Sequence, residues 1–135
     1  VVWTNGCFDL MHAGHAQSLA AAKAEGDILI VGLNSDASTR KLKGASRPYV
    51  DEKARVAMLS ALAVVDHVVL FSEDTPEAAL RALKPDVHCK GSDYAPPSGK
   101  AIPEAEIVRA YGGRIAFLPM WDGLSTTALA ERIRG

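Results

Sequence analysis

Asp27-Ile28-Leu29-Ile30-Val31-Gly32-Leu33 is a nearly continuous apolar run, the pattern of a strand covered on both faces rather than one with a wet side. Shorter runs of the same kind alternate with helical stretches on either side of it. Residues 1–4 (VVWT) read as a strand, and the Ala-rich segment 13–25 between the two carries its apolar residues on one helical face. Downstream follow a helix over 52–63 and a buried strand over 66–71 (DHVVLF). A helix then runs from near Pro76 to about Leu83, with Asp74 and Thr75 as candidate caps. A short strand over 86–90, a helix over 104–111 stopped by Gly112 and Gly113, a strand over 114–118 and a helix over 126–133 complete the chain. This alternation predicts an α/β fold: a doubly wound parallel five-stranded sheet with helices on both faces.

At 135 residues the chain reads as a single domain, 1–135, long enough to bury ~65–70% of its unfolded surface without disulfides or a structural metal. The net charge of -1 leaves no footprint for nucleic acid or an anionic membrane surface. Cys7 and Cys89 are too few for a disulfide framework and have no zinc-ligand spacing, so they read as reduced thiols of a cytoplasmic protein. No apolar run approaches the ~20 residues that span a bilayer. The chain opens at Val1 inside an apolar stretch, which leads us to expect further residues upstream.

Two stretches, 35–50 and 92–103, are too polar or too rich in Pro and Gly for regular structure, and both follow predicted strands. Loops at the carboxyl ends of strands are where α/β sheets bind ligands. The first strand runs into Thr4-Asn5-Gly6-Cys7-Phe8-Asp9-Leu10-Met11-His12-Ala13-Gly14-His15. A helix starting near His12 or Ala13 presents backbone N–H groups and the positive end of its dipole, an anion site. His12 and His15, three apart, are neighbours on the first turn, and Gly14 between them lets a phosphate approach the backbone. Two histidines flanking a glycine at this junction point to ligand binding rather than to one capping and one packing histidine. They also lack a third ligand at zinc spacing, so no metal site is expected. A second cluster, Arg40, Lys41, Lys43 and Arg47, puts four cations into eight residues. In a third, Asp122-Gly123-Leu124-Ser125-Thr126-Thr127, a glycine turn offers hydroxyls and N–H groups at a helix start.

His12-Ala13-Gly14-His15 after Gly6-Cys7-Phe8-Asp9 resembles the HxGH signature of the cytidylyltransferase-like nucleotidyltransferase superfamily. The chain is most similar to the adenylyltransferase domain of the bifunctional heptose enzymes, through residues 4–9, Asn34-Ser35-Asp36, Leu42-Lys43-Gly44 with Arg47-Pro48, Lys90-Gly91 with Asp93-Tyr94, and Asp122-Gly123 with Ser125-Thr126-Thr127. Six matched segments in order are far more specific than HxGH alone. The glycerol-3-phosphate branch carries an arginine before the last segment where this chain has Met120-Trp121.

The resemblance implies a Rossmann-like sheet and an enzyme transferring AMP from ATP to a sugar 1-phosphate such as D-glycero-D-manno-heptose 1-phosphate. Magnesium would arrive with the nucleotide. The catalytic residues implied are His12, His15 and Lys43. Asn5, Gly6, Cys7, Phe8, Gly14, Lys90, Gly91, Asp93, Gly123, Ser125, Thr126 and Thr127 would bind the nucleotide, and Asp9, Arg47 and Arg55 the acceptor. No nucleic-acid or membrane partner is implied; a homodimer and an upstream sugar kinase domain are. A cytidylyltransferase acting on glycerol 3-phosphate is the nearest alternative. A non-catalytic Rossmann-type binder is the other, but it calls for GxGxxG after the first strand, where Asn5-Gly6-Cys7-Phe8-Asp9 stands instead.

Overall fold

The computed structural model describes residues 1–94, 96 and 101–119, Asp93 by its backbone alone. Strands β1 (Val2–Gly6), β2 (Leu29–Asn34), β3 (His67–Phe71), β4 (Val87–Gly91) and β5 (Arg114–Leu118) form one parallel sheet in the order β3-β2-β1-β4-β5. Helices α1 (Ala13–Lys23), α2 (Asp36–Lys43), α3 (Glu52–Ser60), α4 (Glu77–Leu83) and α5 (Ala105–Ala110) connect them. The Rossmann-like, doubly wound arrangement read from the sequence is the one observed.

Its handedness explains which helix lies where. From β1 through β2 to β3 the sheet grows one way; the chain then crosses back and adds β4 and β5 beyond β1. Parallel crossovers are right-handed, so reversing the direction of growth moves the connecting helices to the opposite face. Leu19 and Ala22 of α1 and Leu59 of α3 accordingly share one core with Val2, Leu29, Val31, Leu33, Val87, Cys89, Ala116 and Leu118. Leu80 of α4 and Val108 of α5 pack on the other face against Trp3 and Ile30. β2, paired on both sides and buried at every position, is the run that announced the fold.

Trp3 on β1 dictates the glycine in β2. Its indole is fully buried, and a Cβ at Gly32 would lie 2.3 Å from the ring, so only bare backbone leaves room for it. The indole Nε1 donates to Asn5 Oδ1 at 3.0 Å, which satisfies the buried N–H.

β1 and β4 pair only at Val2↔Val87 and Trp3↔His88, whereas β1 pairs with β2 from Val2↔Leu29 through to Gly6↔Leu33. Past Trp3 and His88, β1 and β4 part, and they do so where the strand order reverses. That is the position at which open α/β sheets take their ligands.

Three local expectations are corrected. Residues 35–50 read as irregular, yet Asp36–Lys43 is helix α2. Ser35 caps it by accepting the Ser38 N–H at 3.2 Å, and its buried face is Ser38 and Thr39. Their hydroxyls donate to the carbonyls of Ser35, Phe71 and Asn34. A helix buried through hydroxyls carries no apolar period, so the pattern was invisible. Residues 92–94 form a single 3-10 turn at the end of β4. Pro76 is the N-cap of α4, which has no side-chain cap; Asp74 pairs instead with Lys41 on α2 at 2.9 Å. The helix expected over 126–133 lies outside the described residues, as do Gly123, Ser125, Thr126 and Thr127.

Candidate active site

His12 is the N-cap of α1, in extended backbone (φ -141°, ψ 179°). Its Nδ1 accepts the N–H of Gly14 at 3.0 Å, and the Nδ1 of His15 accepts the N–H of His12 at 3.2 Å. This is a capping box in which two imidazoles replace the usual hydroxyl and carboxylate. A ring nitrogen that accepts a backbone N–H carries no proton, so in each neutral ring the proton sits on Nε2. The ring centroids are 4.0 Å apart, and Phe8 packs on His15 at 5.5 Å. Burial lowers the pKa of His12. Burial first, and then the charge of His12, takes His15 down to about 4, against the weaker pull of Asp9. At neutral pH the pair is therefore two uncharged Nε2–H donors at the positive end of a helix. Capping and ligand binding are compatible roles here: each ring caps through Nδ1, which leaves Nε2 for a ligand.

The turn before the histidines is held by charge. Phe8 and Leu10 adopt positive φ (47° and 54°), strained for residues with a Cβ. Between them Asp9, 1% exposed, accepts from the N–H groups of Tyr49 (2.7 Å) and Val50 (2.9 Å) and from Arg47 Nε (2.9 Å). Burial pushes the Asp9 carboxyl up, but these donors outweigh it and hold it below the usual carboxylate range. The Arg47 guanidinium also lies over the Tyr49 ring, 4.7 Å from its centroid.

Arg55 on α3 is the hub of this side. It is 1% exposed, and its guanidinium donates to four acceptors on separate parts of the chain. Nε reaches Val50 O at 2.9 Å, Nη1 reaches Cys7 O at 2.7 Å and Asn34 O at 2.8 Å, and Nη2 reaches Asp36 Oδ1 at 2.7 Å. It thereby joins the end of β1, the end of β2 and the start of α2. Asp9, Arg47 and Arg55 were expected to meet the acceptor. As placed, Asp9 is engaged by two backbone N–H groups and Arg47 Nε, and Arg55 by three carbonyls and the Asp36 carboxylate, so these contacts hold the turn and the strand ends together. Beside them lies a hollow of about 470 Å³, lined by Phe8, Leu10, Met11, Val50, Ala54, Met58 and Arg55. Its wall is largely apolar.

Lys43 is the last residue of α2, exposed and without a partner among the described residues, and Gly44 ends the helix at φ 111°. Across the opening between β1 and β4, Lys90 and Gly91 end β4 as Asn5 and Gly6 end β1. Cys7 follows, half-buried and free, its carbonyl held by Arg55. Lys90 Nζ lies 4.4 Å over the ring of Tyr94 and 3.5 Å from Glu104 Oε1. Glu104 and its partner His88 escaped the reading of the sequence. Neither belongs to a motif, and a lone His inside a predicted strand gives no signal.

Among the described residues no three of His, Cys, Asp and Glu gather to hold a metal ion, and no helix is long and apolar enough to cross a membrane. What the fold and site define is an α/β domain whose switch point carries a helix start and two neutral imidazoles, a setting suited to an anion. The cytidylyltransferase-like family model matches residues 3–132. The bifunctional protein HldE of Trichlorobacter lovleyi is 50% identical over 133 residues, 98% of this chain and 26% of that protein. That of Pseudomonas paraeruginosa is 50% identical over 134 residues, 99% of this chain and 28% of the relative. A crystal structure of the lipopolysaccharide core biosynthesis protein from Thermoplasma volcanium GSS1 is similar with a TM-score of 0.68 at 29% identity, covering 89% of this chain and 94% of that one. This chain belongs to the cytidylyltransferase-like family and is a nucleotidyltransferase. It spans 26% to 28% of the length of those two curated relatives.

Proposed function

We propose that the chain transfers AMP from ATP to a sugar 1-phosphate, D-glycero-D-manno-heptose 1-phosphate, releasing pyrophosphate. The observation that carries this reading is the pair of Nε2–H donors on His12 and His15 at the start of α1, beside the parting of β1 and β4. The acceptor already holds an ionised phosphate. One of its oxygens attacks the α-phosphorus of ATP, a P–O bond forms there, and the bond to the bridging oxygen of the β-phosphate breaks. No protein nucleophile is required, and the protein contributes position and electrostatic stabilisation. His12 and His15 donate to the triphosphate, and Lys43 meets the charge that builds on departing pyrophosphate. Asn5, Gly6, Cys7, Phe8 and Gly14 line one side of the nucleotide, and Lys90, Gly91 and Asp93 the other. Gly123, Ser125, Thr126 and Thr127 complete the phosphate contacts. A divalent cation enters as part of the nucleotide substrate.

The preference for ATP rests on the missing arginine before Asp122; the heptose acceptor rests on the likeness to the bifunctional HldE proteins. Their greater length fits a sugar kinase domain alongside this one in the full-length protein. The test is pyrophosphate release from ATP and from CTP, each with a panel of sugar 1-phosphates and glycerol 3-phosphate. Turnover should be highest with ATP and the heptose phosphate. Equal or faster turnover of CTP with glycerol 3-phosphate would replace this reading with a cytidylyltransferase.

A further inference from the structure

We infer that Glu104 is a positioning residue that fixes Lys90 at the nucleotide, with His88 as its anchor. Glu104 and His88 are both buried, 4% and 0% exposed. His88 and Lys90 stand two apart on β4 and so face the same side, toward the chain just before α5. There a single oxygen, Glu104 Oε1, lies 3.0 Å from His88 Nε2 and 3.5 Å from Lys90 Nζ. The ammonium also lies over the ring of Tyr94, 4.4 Å from its centroid. The Lys90 ammonium thus has both a carboxylate and an aromatic face for neighbours, where a lysine at a strand end would otherwise sample many rotamers.

The fold alone gives no reason for this arrangement. Among the described residues, His88 Nδ1 is buried with no hydrogen-bond partner, and a buried polar atom left unpaired destabilises a protein. An apolar pair in the same place would pack without that penalty. What Glu104 adds is a fixed negative charge beside Lys90. Burial raises the Glu104 carboxyl, but the hydrogen bond from His88, its backbone contact and the Lys90 charge take it down to about 2, so that charge persists throughout the physiological range.

The inference rests on the reading of Lys90 as a nucleotide contact. The test is ATP dissociation constants by calorimetry for the wild type, E104Q, K90A and the double variant, with melting temperatures alongside. Gln keeps an oxygen for His88 and removes the charge from Lys90. E104Q should bind ATP about fivefold more weakly, near 1 kcal/mol by the affinity relation. In the K90A background the same change should have no further effect, because the two residues act as one unit. E104D, which keeps the charge but withdraws it by one methylene, serves where E104Q folds poorly and should weaken ATP about twofold. Unchanged affinity in whichever of the two folds, or equal effects of E104Q with and without Lys90, would reduce Glu104 to a packing residue. A wild type that binds ATP but serves no sugar phosphate would sink the proposed acceptor and leave the Glu104 result intact. A wild type that binds no nucleotide would overturn both.

Discussion

Two groups of charged or titratable side chains flank the end of β1, and the same sequence reading gave both to ligands. The histidines of the turn use one nitrogen each on the backbone and keep the other. Arg55 uses Nε, Nη1 and Nη2 on Val50, Cys7, Asn34 and Asp36, and Asp9 accepts from two backbone N–H groups and Arg47. The difference teaches which polar residues at a site can serve a substrate: those with a polar atom left over once the fold has taken its share. His12 and His15 qualify; Arg55, as placed, belongs to the scaffold.

Arg55→Ala should break this comparison most severely. It would leave Asp36 and the carbonyls of Val50 and Cys7 without this donor and take one of two from the Asn34 carbonyl, and removing one partner of a buried ion pair destabilises by about 3–5 kcal/mol. Chemical denaturation should show a loss of that order, and a melting temperature close to the wild type would return Arg55 to the list of substrate contacts. His15→Asn sharpens the other side. Asn offers an oxygen where Nδ1 accepts the His12 N–H but has no counterpart of Nε2–H, so the cap survives and the ligand donor is lost. The rate of the chemical step in single turnover should fall roughly a hundredfold or more, about 3–4 kcal/mol, with the melting temperature nearly unchanged. His15→Ala should lose both, adding the ~1 kcal/mol typical of a lost cap. If His15→Asn kept full turnover, the imidazole pair would be a cap and nothing more.

Lys43→Ala should follow in size. It should slow turnover by about tenfold or more while changing ATP affinity far less, since its charge matters as pyrophosphate departs; a variant that lost affinity alone would contradict this. Lys41→Ala should do least. Its ammonium pairs with Asp74 on an exposed surface, where such pairs contribute about 0–1 kcal/mol, and denaturation and turnover should both stay near wild type.

Acid should expose the histidine turn through stability. The pKa of His15 falls from 6.5 unfolded to about 4 folded. Between those values the unfolded chain binds a proton that the fold refuses, so stability falls as pH drops from 6.5 toward 4 and is unaffected above that window. Replacing His15 with Asn should flatten that part of the stability profile, and an unchanged slope would place the lost stability on another group.

The fold was legible because β2 is apolar from Leu29 to Leu33 and because turn residues punctuate the alternation. The HxGH turn was legible because its residue types are rare at a strand-to-helix junction. α2 was not, since its buried face is Ser38 and Thr39 rather than Leu or Val. The duties of Asp9 and Arg55 were not, because all their partners but Val50 lie about twenty to fifty positions away and most are backbone atoms, which no side-chain pattern reveals. Glu104 was hidden for a similar reason: its meaning comes from Lys90 and His88 across the β4–α5 connection.

The central claim is that His12 and His15 meet the triphosphate as neutral Nε2–H donors. Nitrogen-15 NMR of the histidine side chains tests it most directly, recorded from pH 8 to pH 4 with and without ATP. Both residues should show the Nε2–H tautomer at pH 7. His12 should take up a proton only below the ordinary histidine range and His15 only near pH 4, and ATP should shift both Nε2 resonances more than their Nδ1 partners. Imidazolium signals at pH 7, a proton on Nδ1, or Nε2 resonances indifferent to ATP would contradict the account.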